Sequence, residues 1–238
     1  MAGETVKRSA VCLDVRPFSR TSHVVSWLTE TGRLVTLVKG AVRPKSAFLG
    51  QYDLNYTCEL VYYARAKGEL HALRECSPAV TRDALRRSWR KLVLSSYFRR
   101  LVAELAPAGP EAGAWYRLLA GELDALAARP LDSPLARLGE LIAFELDVLG
   151  LAGLGPDFSG FDPAREWMAF SLERGAFAEV GRCVRVSREA AACLARRGGG
   201  VTKPEIALDA ARVIGVFYMF HLDQAADVRR EVLRLISQ

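Results

Sequence analysis

Lys39, Arg43 and Lys45 place three positive charges within seven residues, inside the stretch VTLVKGAVRPKSAFLGQY that runs from Val35 to Tyr52. Charges that close repel one another unless an anion lies among them. Gly40 and Pro44 mark the segment as a turn, and Phe48 follows it at once. Cations on a loop beside an aromatic ring suit a sugar-phosphate backbone. The cations hold phosphates, and a ring can stack a base for about 1–3 kcal/mol. Arg16, Arg20, Arg33, Arg65 and Lys67 add charge within the first eighty residues, and Phe18, Trp27, Tyr52, Tyr62 and Tyr63 add rings. Most of these rings are core candidates, Trp27 above all, whereas Phe48 is open to either role. Further on, Arg82, Arg86 and Arg90 recur every four residues, with Arg87 and Lys91 beside them. On a helix that spacing makes a positive ridge able to extend a phosphate track from the loop. The same ridge also describes a plain solvated face.

Catalytic chemistry finds no comparable support. His23, His71 and His221 are far apart, and none has a second His or Cys three or four residues on. No Walker phosphate loop and no GxSxG elbow is present, and Gly198-Gly199-Gly200 lacks the Lys-Ser/Thr ending of a nucleotide loop. Glu140, Glu145 and Asp147 fall on one helical segment, where carboxylates are solvated or ion-paired. Five cysteines (Cys12, Cys58, Cys76, Cys183, Cys193) are scattered without a CxxC pair, the pattern of buried thiols. The expectation is a binding protein without enzymatic turnover and without a cofactor.

The net charge of +6 is unevenly spread. Residues 1–80 hold 11 Lys/Arg against 7 Asp/Glu, residues 81–105 hold 7 against 2, and the rest hold 15 against 18. The positive field belongs to the first half, which points to a polyanionic partner there. No run of eighteen apolar residues predicts a membrane span, and MAGETVKRSA lacks the apolar core of a signal peptide. A cytoplasmic, nucleoid-associated protein with no membrane partner is expected.

The elements that must carry these side chains divide near residue 80. Ser9–Val15, Ser22–Leu28, Arg33–Lys39, Asn55–Tyr63 and Glu69–Glu75 are β-prone runs joined by Gly and Pro turns, with ETGRL (30–34) as a hairpin. Five short strands in eighty residues predict a small closed barrel, with the OB-fold as the natural candidate. After Ser77-Pro78 the period becomes helical. Leu85, Trp89, Leu92, Val93, Tyr97, Leu101 and Leu105 predict one helix over Thr81–Leu105, capped by Thr81. Helices are predicted over Ala114–Ala128, Leu135–Leu149, Ser187–Arg196, Pro204–Phe220 and Ala225–Ile236, with a hairpin around Glu173-Arg174-Gly175. The expected fold is α+β: a five-stranded OB-fold barrel over residues 1–80, then an α-helical domain over 81–238 with an irregular insertion at about 151–185.

These residues resemble the bacterial recombination mediator RecO family. Arg16-Pro17-Phe18, Thr29-Glu30, Gly32-Arg33 and Lys39-Gly40-Ala41 with Arg43, Lys45 and Ser46 follow the family pattern in order, and LDVLGLAGLGPD is similar to its approach to a zinc site. The resemblance implies an OB-fold followed by helices, and binding of single- and double-stranded DNA. It also implies annealing of complementary strands and help in loading RecA. RecR and the acidic C-terminal tail of the single-stranded-DNA-binding protein are the implied partners. Arg16, Arg33, Lys39, Arg43 and Lys45 are then expected on phosphates, with Phe48 beside them and Arg86, Arg87 and Arg90 extending the track. A second reading is an adaptor whose basic, apolar groove docks an acidic peptide, with incidental DNA contact.

The family's zinc ligands are absent. The CxxC pairs would fall near Phe161 and Ala164 and near Glu179 and Arg182, and Cys183 is one place off. A tetrahedral zinc needs four Cys or His ligands. No metal is expected, and the insertion is expected to be zinc-finger-like but stapled by Phe158, Phe161, Trp167 and Phe177. His221-Leu222 matches the C-terminal pattern, but Ala225-Ala226-Asp227 stands where small and basic residues are usual.

Overall fold

The structure, a computed structural model, describes residues 4–65, 68–222 and 226–238. Lys67 and Ala225, both singled out above, lie outside the described residues. The chain forms two compact units, Met1–Arg87 with Arg99–Ala128, and Ser88–Phe98 with Arg129–Gln238.

The first unit is built on five strands: β1 Thr5–Ser19, β2 Ser22–Thr29, β3 Gly32–Val38, β4 Thr57–Tyr63 and β5 Leu70–Val80. They close in the order β1-β2-β3-β5-β4, and β4 pairs back onto β1. The pairs are antiparallel except β3 with β5. This is the expected five-stranded OB-fold barrel. Period-two alternation explains the interior, because residues two apart share a face. Cys58 and Leu60 from β4 meet Ala10 and Cys12 from β1, and Val25 and Trp27 from β2. Trp27 is fully buried, and its indole N–H donates to Thr36 Oγ1 at 2.9 Å, so its one polar atom is satisfied.

The boundary expected at residue 80 differs from the division into units. Helix α1 (Trp89–Leu105) is divided between them, and α2 (Ala112–Ala128) clusters with the barrel. Ser9 Oγ lies 3.1 Å from the Tyr116 hydroxyl. At the β2–β3 turn, a Cβ on Gly113 would come within 2.9 Å of the Glu30 carbonyl oxygen. Small residues there let helix and hairpin backbones touch. The single helix expected over Thr81–Leu105 is also corrected. A 3-10 turn spans Asp83–Arg87, and the α-helix begins at Trp89. Arg82 takes a positive φ of 53° and turns inward. Its guanidinium donates to Asp124 Oδ1, the Asn55 and Ala120 carbonyls and Thr57 Oγ1.

The second unit contains the start of α1, α3 (Pro134–Leu151), α4 (Arg188–Ala195), α5 (Pro204–His221) and α6 (Ala226–Ile236). It also holds a small antiparallel sheet, β7-β6-β8, made by Ala176–Phe177, Trp167–Ser171 and Cys183–Ser187. Ser133 and Ser187 cap α3 and α4 by accepting from Ala136 N and Ala190 N. The hairpin expected around Glu173-Arg174-Gly175 forms, with β8 as a third strand. Among the described residues no helix is long and apolar enough to cross a membrane.

Candidate nucleic-acid interface

Beyond Val38 the chain leaves β3 and folds into successive turns up to β4. Arg43 N donates to the Gly40 carbonyl, Ser46 N to Arg43, Leu49 N to Ser46, and Gln51 N to Phe48. The segment is tied to the β1–β2 turn, because Gly40 N donates to Ser22 Oγ at 3.2 Å and Val42 N to the Thr21 carbonyl at 3.3 Å. Part of its apolar set faces inward, while Val42, Leu49 and Leu54 are exposed. Ala41 is buried, and Phe48 and Tyr52 pack on the barrel core. Tyr52 Oη lies 2.8 Å from His23 Nδ1, and burial pushes its hydroxyl pKa up. Lys39, Arg43 and Lys45 are exposed on the other side. The loop therefore holds three cations on a backbone ordered by its own turns and anchored at both faces. An ordered backbone of this kind leaves little ordering cost to be met on binding a polyanion.

The other expected residues scatter around this loop. Arg16 is exposed near the end of β1, with its Nε 2.5 Å from Asp14 Oδ2. Arg33 is exposed at the start of β3, whereas Lys39 follows its end. Five strand residues lie between them, a rise of roughly 20 Å from one to the other, so Arg33 does not join the cluster. Arg86 stacks on Tyr56 at 5.0 Å and pairs with Asp53 at 2.8 Å. It ties the far end of the loop to the 3-10 turn, and Arg82 is buried, so these two arginines do not form an open ridge on one helix. Arg87 is exposed on the 3-10 turn. Arg90 belongs to the second unit, where its guanidinium lies 4.7 Å over Trp89. Arg99, on α1, is buried and donates to the Leu13 carbonyl, and burial lowers its pKa. Phe48 is half-buried and packs against the barrel core, so of the two roles open to it the structure favours the core one. Phe18 and Arg20, an aromatic and a cation of the first eighty residues, lie outside the expected site. Both are exposed at the tip of β1 and its turn, beside the loop. The signal available in the sequence was their nearness to Thr21 and Ser22, which the turn brings under the loop.

The model described as "Recombination protein O N terminal" matches residues 1–82, and that described as "Recombination protein O C terminal" matches residues 86–236. This chain belongs to the recombination protein O family. A curated relative, "DNA repair protein RecO" of Actinobacillus succinogenes, is 32% identical over 160 residues. The match covers 67% of this chain and 63% of that relative, so less than two thirds of the relative's length is spanned.

The zinc site implied by resemblance to RecO does not fit the residues present. Phe161 is half-buried, and Ala164, Glu179 and Arg182 are exposed. The Glu173 carboxylate accepts from Arg182 N, which lowers the pKa of Glu173. Cys183 Sγ faces the Ala178 and Val180 carbonyls. Among the described residues no three His, Cys, Asp or Glu side chains are grouped to hold a metal. Aromatic packing fills the region instead. Phe158 and Phe170 stack at 4.9 Å, Phe177 meets Phe170 at 5.7 Å, and Phe217 of α5 meets Phe170 at 5.8 Å. The expected staple is corrected in two members. Phe170 and Phe217 take the places given to Phe161 and Trp167, because inward-facing positions of β6 are Met168 and Phe170, leaving Trp167 44% exposed.

Proposed function

We propose that this chain is a DNA-binding accessory protein of recombinational repair that anneals complementary single strands, without enzymatic turnover, and assists RecA loading with RecR. The outward trio of Lys39, Arg43 and Lys45 on the anchored loop is the observation that carries the reading, and family membership supports it. Annealing follows from charge: neutralising two backbones at once removes the repulsion that separates them. Arg16 and Arg87 flank the trio in this reading, and the acidic tail of the single-stranded-DNA-binding protein is a further partner.

A titration of oligothymidine against salt tests it. Changing Lys39, Arg43 and Lys45 together to Ala lowers affinity and shrinks the log–log salt slope by about 2, since each single-strand phosphate contact contributes about 0.7. An unchanged slope removes the loop from the site. Annealing of naked and protein-coated strands, with and without a chelator, tests activity, coated substrate and metal independence together. The adaptor reading would use a groove of about 270 Å³ in the second unit, lined by Trp167, Arg185, Arg212, Val213 and Val216 and by Asp209, which pairs with Arg212 at 2.8 Å. In that case the triple variant keeps its affinity for an acidic peptide and the wild type anneals nothing.

A further inference from the structure

We propose that Phe18 is the base-stacking residue of the barrel, set at the tip of the β1–β2 hairpin as the aromatic partner of the cationic loop. The inference rests on the nucleic-acid reading above and names the ring that reading lacks.

The other barrel rings are engaged elsewhere. Trp27 is fully buried and bonded to Thr36. Tyr52 is bonded to His23, Phe48 and Tyr62 pack against the core, and Tyr56 lies beneath Arg86. Tyr63 is 39% exposed but lies under Arg74 at 5.9 Å, and it pairs with Thr5 at the opposite end of β1. Phe18 is 59% exposed, the most open large apolar side chain among the described residues.

Its backbone explains that exposure. In the β1–β2 ladder Pro17 pairs with His23 and Ser19 with Ser22, so Phe18 is the extra residue of a bulge. A bulge takes a side chain out of the pleat and re-aims it. The pairing of β1 with β4 ends at Val11, so the tip of β1 pairs with β2 alone and no neighbouring strand covers the ring. Arg16 and Arg20 flank it and are exposed. The turn that follows supplies the Thr21 carbonyl and Ser22 hydroxyl that anchor Val42 and Gly40. Ring and cations therefore share one end of the barrel, through hydrogen bonds rather than through mere nearness in sequence. Stacking on an aromatic is indifferent to base identity. The ligand class is thus single-stranded nucleic acid with bases unpaired, as strands are before annealing.

The test compares oligothymidine with an abasic deoxyribose-phosphate strand of equal length, using the full chain. Phe18→Ala weakens oligothymidine binding by about five- to a hundred-fold, leaves abasic binding and the salt slope unchanged, and Phe18→Tyr restores most of the loss. Phe18→Trp gives a second readout: its added fluorescence is quenched by oligothymidine and not by the abasic strand. Equal loss on both strands, or no loss on either, overturns the assignment while leaving the loop in place. A wild type that ignores both strands overturns the nucleic-acid reading and this inference with it.

Discussion

At the residue scale, Gly40 decides how the loop presents its charges. Its φ of 66° lies in the left-handed region, and a Cβ there would sit 3.2 Å from Arg43 Cδ. The Arg43 stem folds back over the glycine, and Arg43 N donates to the Gly40 carbonyl. Gly40→Ala should therefore cost about 1–2 kcal/mol of stability and push the Arg43 side chain aside. Urea unfolding would show the first effect and an oligothymidine titration the second. If Gly40→Ala matches the wild type in both, the loop is not held as described. The same scale shows why two expected cations are misplaced. Arg82 has no acidic residue three or four places away, and Arg86 has only Asp83 three places before it, so spacing alone does not reveal the partners they take. Their partners are Asp124 and Asp53, distant in sequence and close only after folding.

At the scale of elements, the helices of the second unit converge on one buried ion pair. Arg229 of α6 donates from Nε to Glu145 Oε1 and from Nη2 to Glu145 Oε2, both at 2.7 Å, and also to the Ala211 carbonyl of α5. The Tyr97 hydroxyl of α1 donates to Glu145 Oε1 at 2.6 Å. Burial pulls the Arg229 pKa down, yet the charge and hydrogen bond of Glu145 together with the Tyr97 and Tyr218 hydroxyls outweigh it, and the net shift is upward. Gly215 makes the room, since a Cβ there would lie 2.3 Å from Arg229 Nη1. Removing one partner leaves the other buried and uncompensated, so Glu145→Leu or Arg229→Met alone should cost about 3–5 kcal/mol, and the double variant less than their sum. Gly215→Ala should be harmful in the wild type and milder beside Arg229→Met. Strictly additive urea midpoints would refute the coupling. Glu145 also marks the limit of what the sequence carries. Periodicity located the barrel strands and most helices to within a few residues, because apolar spacing is local. It placed Glu145 among solvated or paired carboxylates, since only the packing of four helices shows that this one is buried. The β1 bulge that exposes Phe18 was likewise invisible, because register depends on the partner strand.

At the scale of the whole molecule, buried acids tie stability to alkaline pH. Cys12 is raised by burial and then by Cys58, and Cys58 by its hydrogen bond with Cys76 and by burial. Both Cys58 and Cys76 point at the Gln51 carbonyl, at the end of the cationic loop. In the second unit burial pushes the Cys193 thiol from 9.0 up to about 11, and it raises the Tyr97 and Tyr218 hydroxyls, with Glu145 adding to each. Cys12, Cys58, Cys193, Tyr97 and Tyr218 are neutral when folded and easier to ionise when unfolded. Below about pH 9 both states keep the thiol protons, and the stabilising contribution is complete. Above it the unfolded chain loses protons that the folded chain retains, so stability falls with rising pH by up to about 1.4 kcal/mol per unit for each such thiol. For Cys193 the fall runs from pH 9 to about 11. Urea midpoints measured from pH 7 to 11 should be level and then drop, and Cys193→Ala should make the drop shallower. The native protein at pH 8 should expose one thiol to a disulfide reagent, Cys183, with Cys12, Cys58, Cys76 and Cys193 reacting only on unfolding, because those four are buried. A stability profile flat to pH 11, or five thiols reacting at once, would contradict closed cores in both units.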